Sequence, residues 1–205
     1  MDKEAEVVKA ASQLSAAVES NNVENLSTCD LRVFIDCCRN GTSVPLGILQ
    51  KASKDLLLLI SGHSLSNDSK IVGATAYSSI MTYLLQDPST IFEHYLHLLK
   101  QEEEEETDYK IYLCHVILQM NNSYWTNQCE KTQIMLHEIF KIVHNLCCHL
   151  KSTSFFAFKV FYSLLCKIHT IFPNNMGVST ESFKIMLNIV MSNWENPLGG
   201  VCQQN

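Results

Sequence analysis

Residues that break a helix are scarce in this chain. Its 205 residues include only 7 Gly and 4 Pro. An all-β fold needs a turn signal about every ten residues, so this chain points to long helices joined by short turns. Apolar residues between the breakers recur at three- and four-residue spacing, as one buried helical face requires. Leu31, Phe34, Ile35 and Cys38 form one such set.

Start and stop signals divide the chain into about nine expected helices. Residues 2–20 form the first, with Val7, Ala10, Ala11, Leu14 and Val18 inward, and Asn21-Asn22 break it. Ser27 or Thr28 caps a second that runs to about Arg39 and ends at Asn40-Gly41. Pro45 opens a third, ending before Gly62. Asp68 caps a fourth through Gln86, and Asp87-Pro88 starts a fifth with Ile91, Tyr95, Leu98 and Leu99 inward. The acidic run Glu102–Glu106 is expected to be the fraying end of this helix or a solvated loop, an acidic stretch over residues 101–107.

A sixth helix spans Asp108–Met120, and Asn121-Asn122 break it. A long one starts at Ser123 or Thr126 and runs to Lys151, with Ile134, Met135, Ile139, Ile142, Val143, Leu146 and Leu150 inward. Ser152 or Thr153 caps the next, through Phe172, which is apolar around most of its circumference and so belongs inside a stack. Ser179–Asn193 is the last, with Phe183, Met186, Leu187 and Val190 inward. The expected fold is all-α: an armadillo/HEAT-like α-solenoid of degenerate antiparallel helix pairs. No fixed-period consensus recurs, and a closed helical bundle is the alternative. Residues 1–205 read as one helical segment, the N-terminal part of a longer solenoid.

Charged residues are 18% of the chain and hydrophobic ones 46%. That balance supports a large core and leaves apolar surface for a partner. Residues 1–106 hold 8 Lys/Arg and 16 Asp/Glu, a net of −8; residues 107–205 hold 7 and 5, a net of +2. No basic cluster reaches the density of a nucleic-acid stripe, so any RNA contact by this segment alone is weak. The nine cysteines are odd in number and sit mostly in apolar stretches, and the charged start Met1–Glu6 is no secretory signal. Reduced thiols in a cytoplasmic protein, with a nuclear pool also open, fit best. No apolar run is long enough to span a membrane.

Catalytic patterns fail on inspection. His137-Glu138 begins a zincin-like pattern, but Lys141 stands where the second histidine belongs. His144, Cys147, Cys148 and His149 form the densest ligand cluster, with Cys166 and His169 on the following helix. A closed zinc site needs four converging ligands, and core cysteines with surface histidines are the simpler reading. His94 and His97 flank Tyr95 under the same reading. Cys114 and His115 are adjacent, so they point about 100° apart on a helix and do not face each other. Gly73–Ala76 is no nucleotide loop; its small residues let helices approach closely. The chain is read as non-enzymatic, without cofactor, metal or small-molecule substrate. Lys131, Lys141, Lys151, Lys159 and Lys167 recur at intervals of eight to ten. They are candidate weak RNA contacts if the helices stack, and solubilising residues otherwise.

The segment Trp194-Glu195-Asn196-Pro197-Leu198-Gly199-Gly200-Val201-Cys202-Gln203-Gln204 closes a helix and opens a tight turn. It resembles the start of the central region of the THADA family, where His-Trp-Glu-His-Pro-Leu leads into Asp, a small and an aliphatic residue, then Arg-His-Gln. The match falls on Trp194, Glu195, Pro197, Leu198, Val201 and Gln204. Gly199, Cys202 and Gln203 depart from it, the last two removing positive charge. Residues 1–193 share only the texture of Leu/Cys/Phe-rich helices. The resemblance implies an N-terminal fragment or truncated homologue of a very large armadillo-type protein. It further implies a non-catalytic scaffold that binds tRNA and an RNA methyltransferase subunit during 2′-O-ribose methylation of the tRNA anticodon loop. The generic alternative is a HEAT/armadillo protein–protein adaptor unrelated to RNA.

Overall fold

The computed structural model describes residues 3–24, 26–62, 65–101, 107–126, 129–148 and 154–172, together with 184 and 188. Among them every regular element is helical: the fold is all-α. The chain divides into two compact units, Met1–His97 with Glu103–Ile117, and Leu98–Glu102 with Leu118–Asn205.

The first unit begins with α1 (Lys3–Ser20), α2 (Thr28–Asn40), α3 (Leu46–Ser61) and α4 (Asn67–Leu85). A capping box starts α2: the Ser27 hydroxyl accepts the Asp30 N–H at 3.2 Å, and the Asp30 carboxylate accepts the Ser27 N–H at 2.9 Å. Gly41, at φ 62°, ends it in the left-handed conformation that glycine adopts without steric cost. Pro45 stands at the N-cap of α3. The N-cap of α4 is Ser66, whose hydroxyl accepts the Ser69 N–H at 3.3 Å. Asp68, the expected cap, instead lies in the first turn, where its charge complements the helix dipole.

Gln86, at φ 56°, turns the chain out of α4. The Asp87 carboxylate then accepts the Thr90 N–H at 2.8 Å and starts α5 (Pro88–Lys100). Ile91, Tyr95, Leu98 and Leu99 are buried as expected, and so is Phe92. A 3-10 turn at Thr107–Tyr109 leads into α6 (Lys110–Gln119).

α1 packs on α2 and α3, and both α2 and α3 pack on α4. α1 and α3 run antiparallel. Ser15 meets Asp55 at 2.6 Å; one turn later Glu19 meets Lys51, one turn earlier on α3. Three helices converge at Gly73, where an added Cβ would lie 3.4 Å from Ile60 Cγ1 and 4.0 Å from Leu31 Cδ1. The close approach expected of the small residues 73–76 is therefore real. Leu14, Leu31, Phe34, Leu49, Leu56, Ile60 and Ile80 are fully buried around it.

In the second unit a short helix, α7 (Asn122–Thr126), precedes α8 (Cys129–Cys148) and α9 (Ser154–Ile171). Of the two expected starts for the long helix, Ser123 falls inside α7, whereas Thr126 ends α7 three residues before α8 begins. The break holds because the Thr132 hydroxyl donates to the Trp125 carbonyl at 2.6 Å, and Trp125 itself is fully buried. Met135, Ile139, Val143 and Leu146 face inward as expected, whereas Ile134 is 38% exposed and Leu136 and Cys147 take buried positions. α9 buries Phe156, Ala157, Val160, Phe161, Leu164 and Ile168 against α8 but leaves Tyr162 64% exposed. One face of this apolar helix is therefore open to solvent. Leu150 and all of the Ser179–Asn193 expectation except Lys184 and Asn188 lie outside the described residues.

Candidate functional site

The antiparallel pairing of α1 and α3 leaves a groove of about 440 Å3 along their outer face. Its walls are mainly small: Ala11, Ser12, Ser15 and Ala16 from α1, with Gly47 and Ala52 from α3. Val8 and Ile48 add apolar surface, and Val8 is 41% exposed. Small side chains at three- and four-residue spacing make a trough rather than a ridge. Glu19 and Lys51, both lining the groove, lie 4.0 Å apart and mostly in solvent. Such a pair contributes little to stability.

One groove residue reaches a buried charge. The Ser15 hydroxyl donates to Asp55 Oδ2 at 2.6 Å, and Asp55 is only 9% exposed. Among the described residues this is the sole side-chain hydrogen bond of Asp55, and no cation lies within ion-pair distance. A hydroxyl donating to a mostly buried carboxylate makes a charge-assisted hydrogen bond.

The lysines expected to share a surface have different surroundings. Lys167 is engaged internally. Its ammonium donates to the Met120 carbonyl at 3.0 Å and to Asn122 Oδ1 at 2.8 Å, and sits 5.5 Å from the Trp125 ring centroid. Burial pulls its pKa below the usual lysine value. Lys141 pairs with Glu138 at 3.2 Å. Lys159 is exposed and Lys131 half-buried, and Lys151 lies outside the described residues. On α8, Lys131 and Lys141 point about 80° apart, as do Lys159 and Lys167 on α9. The turn residues Trp194, Glu195, Pro197, Leu198, Val201 and Gln204 also lie outside the described residues.

The remaining titratable clusters are built into packing. Tyr77 OH and His94 Nε2 are 2.6 Å apart, and the Tyr95 ring meets both rings edge-on. Burial first, then the neighbouring His97 charge, lowers the His94 pKa. Burial raises the phenols of Tyr77 and Tyr95. His144 stacks on Phe140 with ring centroids 5.7 Å apart, and Cys147 beneath it is fully buried, while Cys166 and His169 are exposed. Among the described residues no three His, Cys, Asp or Glu side chains gather as metal ligands. Burial pushes the Cys38 thiol up to about 12 and also raises Cys114, so neither carries thiolate character. Among the described residues no helix is long and apolar enough to cross a membrane.

Two of these features escaped the sequence reading. Regular lysine spacing hid the distinct role of Lys167, because its partners sit 45 and 47 residues away. The Ser15–Asp55 bond spans 40 residues, and no local signal marks it. A lone Asp directly before the apolar run Leu56–Ile60 was the one available hint.

No family model, curated protein or solved structure matches this chain.

Proposed function

We propose that this chain is a non-enzymatic helical scaffold of the THADA kind, serving 2′-O-ribose methylation of the tRNA anticodon loop by holding tRNA and an RNA methyltransferase subunit. The observation that carries this reading is the Trp-Glu-x-Pro-Leu-x-x-Val turn at Trp194–Val201, with Gln204 after it. The helix-only architecture is the kind of frame such a scaffold uses, and stacked degenerate pairs would extend it as a solenoid. The titratable clusters are used in packing rather than gathered around a reacting atom, which supports a role in binding. The test is loss of the gene product. Anticodon-loop ribose methylation, quantified by mass spectrometry of purified tRNA, should fall in its absence and return on complementation. Unchanged methylation refutes the reading.

The groove between α1 and α3 favours a second reading, a protein–protein adaptor. A preformed trough with small walls is what a partner helix requires. Residue-specific crosslinking from position 16 separates the two readings: an adaptor yields a protein adduct that persists after RNase treatment and without any methyltransferase present.

A further inference from the structure

We infer that the Asn40–Gly41 link is a site of spontaneous modification, a one-way conversion of the Asn40 amide to a carboxylate that uncaps α2. No other asparagine in the chain precedes a glycine. Glycine leaves the attacking backbone nitrogen uncrowded, and beyond its chain neighbours nothing lies within 4 Å of where a Cβ on Gly41 would stand. Asn40 ends α2 and is exposed, so water reaches its side chain. Water is the only reagent required. The Gly41 backbone nitrogen attacks the Asn40 side-chain carbonyl carbon, its proton leaves with the amide nitrogen as ammonia, and a succinimide ring closes. Water then adds to either ring carbonyl and breaks its C–N bond, leaving aspartate or isoaspartate.

The helix cap sets the pace. The Gly41 N–H donates to the Cys37 carbonyl, and the Thr42 N–H donates to the same oxygen at 3.1 Å. Attack needs the Gly41 nitrogen released and Asn40 rotated out of its helical conformation, so the reaction passes through fraying of the last turn. Completion opposes the return. The imide nitrogen carries no proton, so Cys37 loses that donor at the ring stage. Hydrolysis restores the N–H but puts a negative charge at a helix C-terminus, four residues after the exposed Asp36. Dipole and like charge both disfavour it there. Isoaspartate also lengthens the backbone by a methylene, just ahead of the buried Val44 and the Pro45 N-cap of α3.

The test is incubation of the full chain at neutral pH, folded and in urea. Mass spectrometry of peptides that keep Asn40 internal reads the conversion, and isoaspartyl carboxyl methylation reads the isoaspartate. Position 40 should convert before any other asparagine, and about tenfold faster in urea than folded. Asn40→Gln should abolish the isoaspartate signal, because its longer side chain closes a larger ring far more slowly. The aged protein and Asn40→Asp should both melt below the parent. No conversion at position 40 in the folded chain, first conversion elsewhere, or equal rates folded and unfolded each overturn the inference. An unchanged melting temperature in both the aged protein and Asn40→Asp overturns the uncapping.

Discussion

Replacing Lys167 by Met keeps most of the side-chain volume and removes only the charged head. In the folded protein that head donates to the Met120 carbonyl and Asn122 Oδ1 and lies over the Trp125 ring. Hydrogen bonds from a charged group contribute roughly 1.5–3 kcal/mol each, and a partly exposed cation–π contact adds about 0.5–1 kcal/mol. Holding a lysine in one rotamer costs up to about 2 kcal/mol, and water can replace part of what is lost at this half-buried site. The expected net destabilisation is about 2 kcal/mol. The chain has 2 tryptophans, so a Trp194→Phe background leaves Trp125 as the sole reporter. With a urea m-value of about 2 kcal/mol/M, the midpoint should fall by about 1 M with m unchanged. Lys159→Met, on an exposed stretch of the same helix, should stay within about 0.5 kcal/mol of the parent. Equal midpoints for the two variants would falsify the claim that Lys167 is a structural anchor.

Gly73→Leu should cost roughly 1–3 kcal/mol in chemical denaturation, because Ile60 and Leu31 already occupy the space its side chain needs. Gly73→Ala should be near neutral, since its methyl meets Ile60 at contact distance while helix propensity improves. Gln86→Gly should stabilise by about 1 kcal/mol, relieving a positive φ that glycine adopts freely; an unchanged or lowered melting temperature refutes that strain. Burial lowers the His94 pKa, so the unfolded chain takes up its proton first as pH falls. Stability is then full above about pH 6.5, declines below it, and levels off once the folded-state pKa is passed. Melting curves across this range should flatten in His94→Asn, and an identical slope in that variant counts against the assignment.

Local signals made most of the fold legible. Ser27, Gly41, Pro45 and the Asp87-Pro88 step act within one turn of the chain, and each marks a helix end as expected. The errors fall where two local signals compete or where tertiary packing decides. Asp68 and Ser66 are both good cap chemistry, and the cap fell to the residue just before the first helical turn. The α7–α8 break resembles a continuous helix because its periodicity barely shifts, yet the fully buried Trp125 and its carbonyl bond to Thr132 enforce a turn. Ile134 adjoins the buried Met135 on α8 but stands beyond the edge of its inward face, 38% exposed. The groove had no sequence signature at all. Ala11 and Ala16 read as ordinary helix formers, and only the pairing of α1 with α3 turns them into walls.

Distance along the chain also hides differences among the lysines. Five lysines at regular spacing look alike in the sequence, but the half-buried Lys167 ammonium is engaged by a carbonyl, an amide and an indole face. With Lys167 engaged in this way and Lys141 paired to Glu138, the positive surface among the described residues is thinner than the net of +2 over residues 107–205 implies. An electrostatic grip on RNA scales with the number of phosphates neutralised.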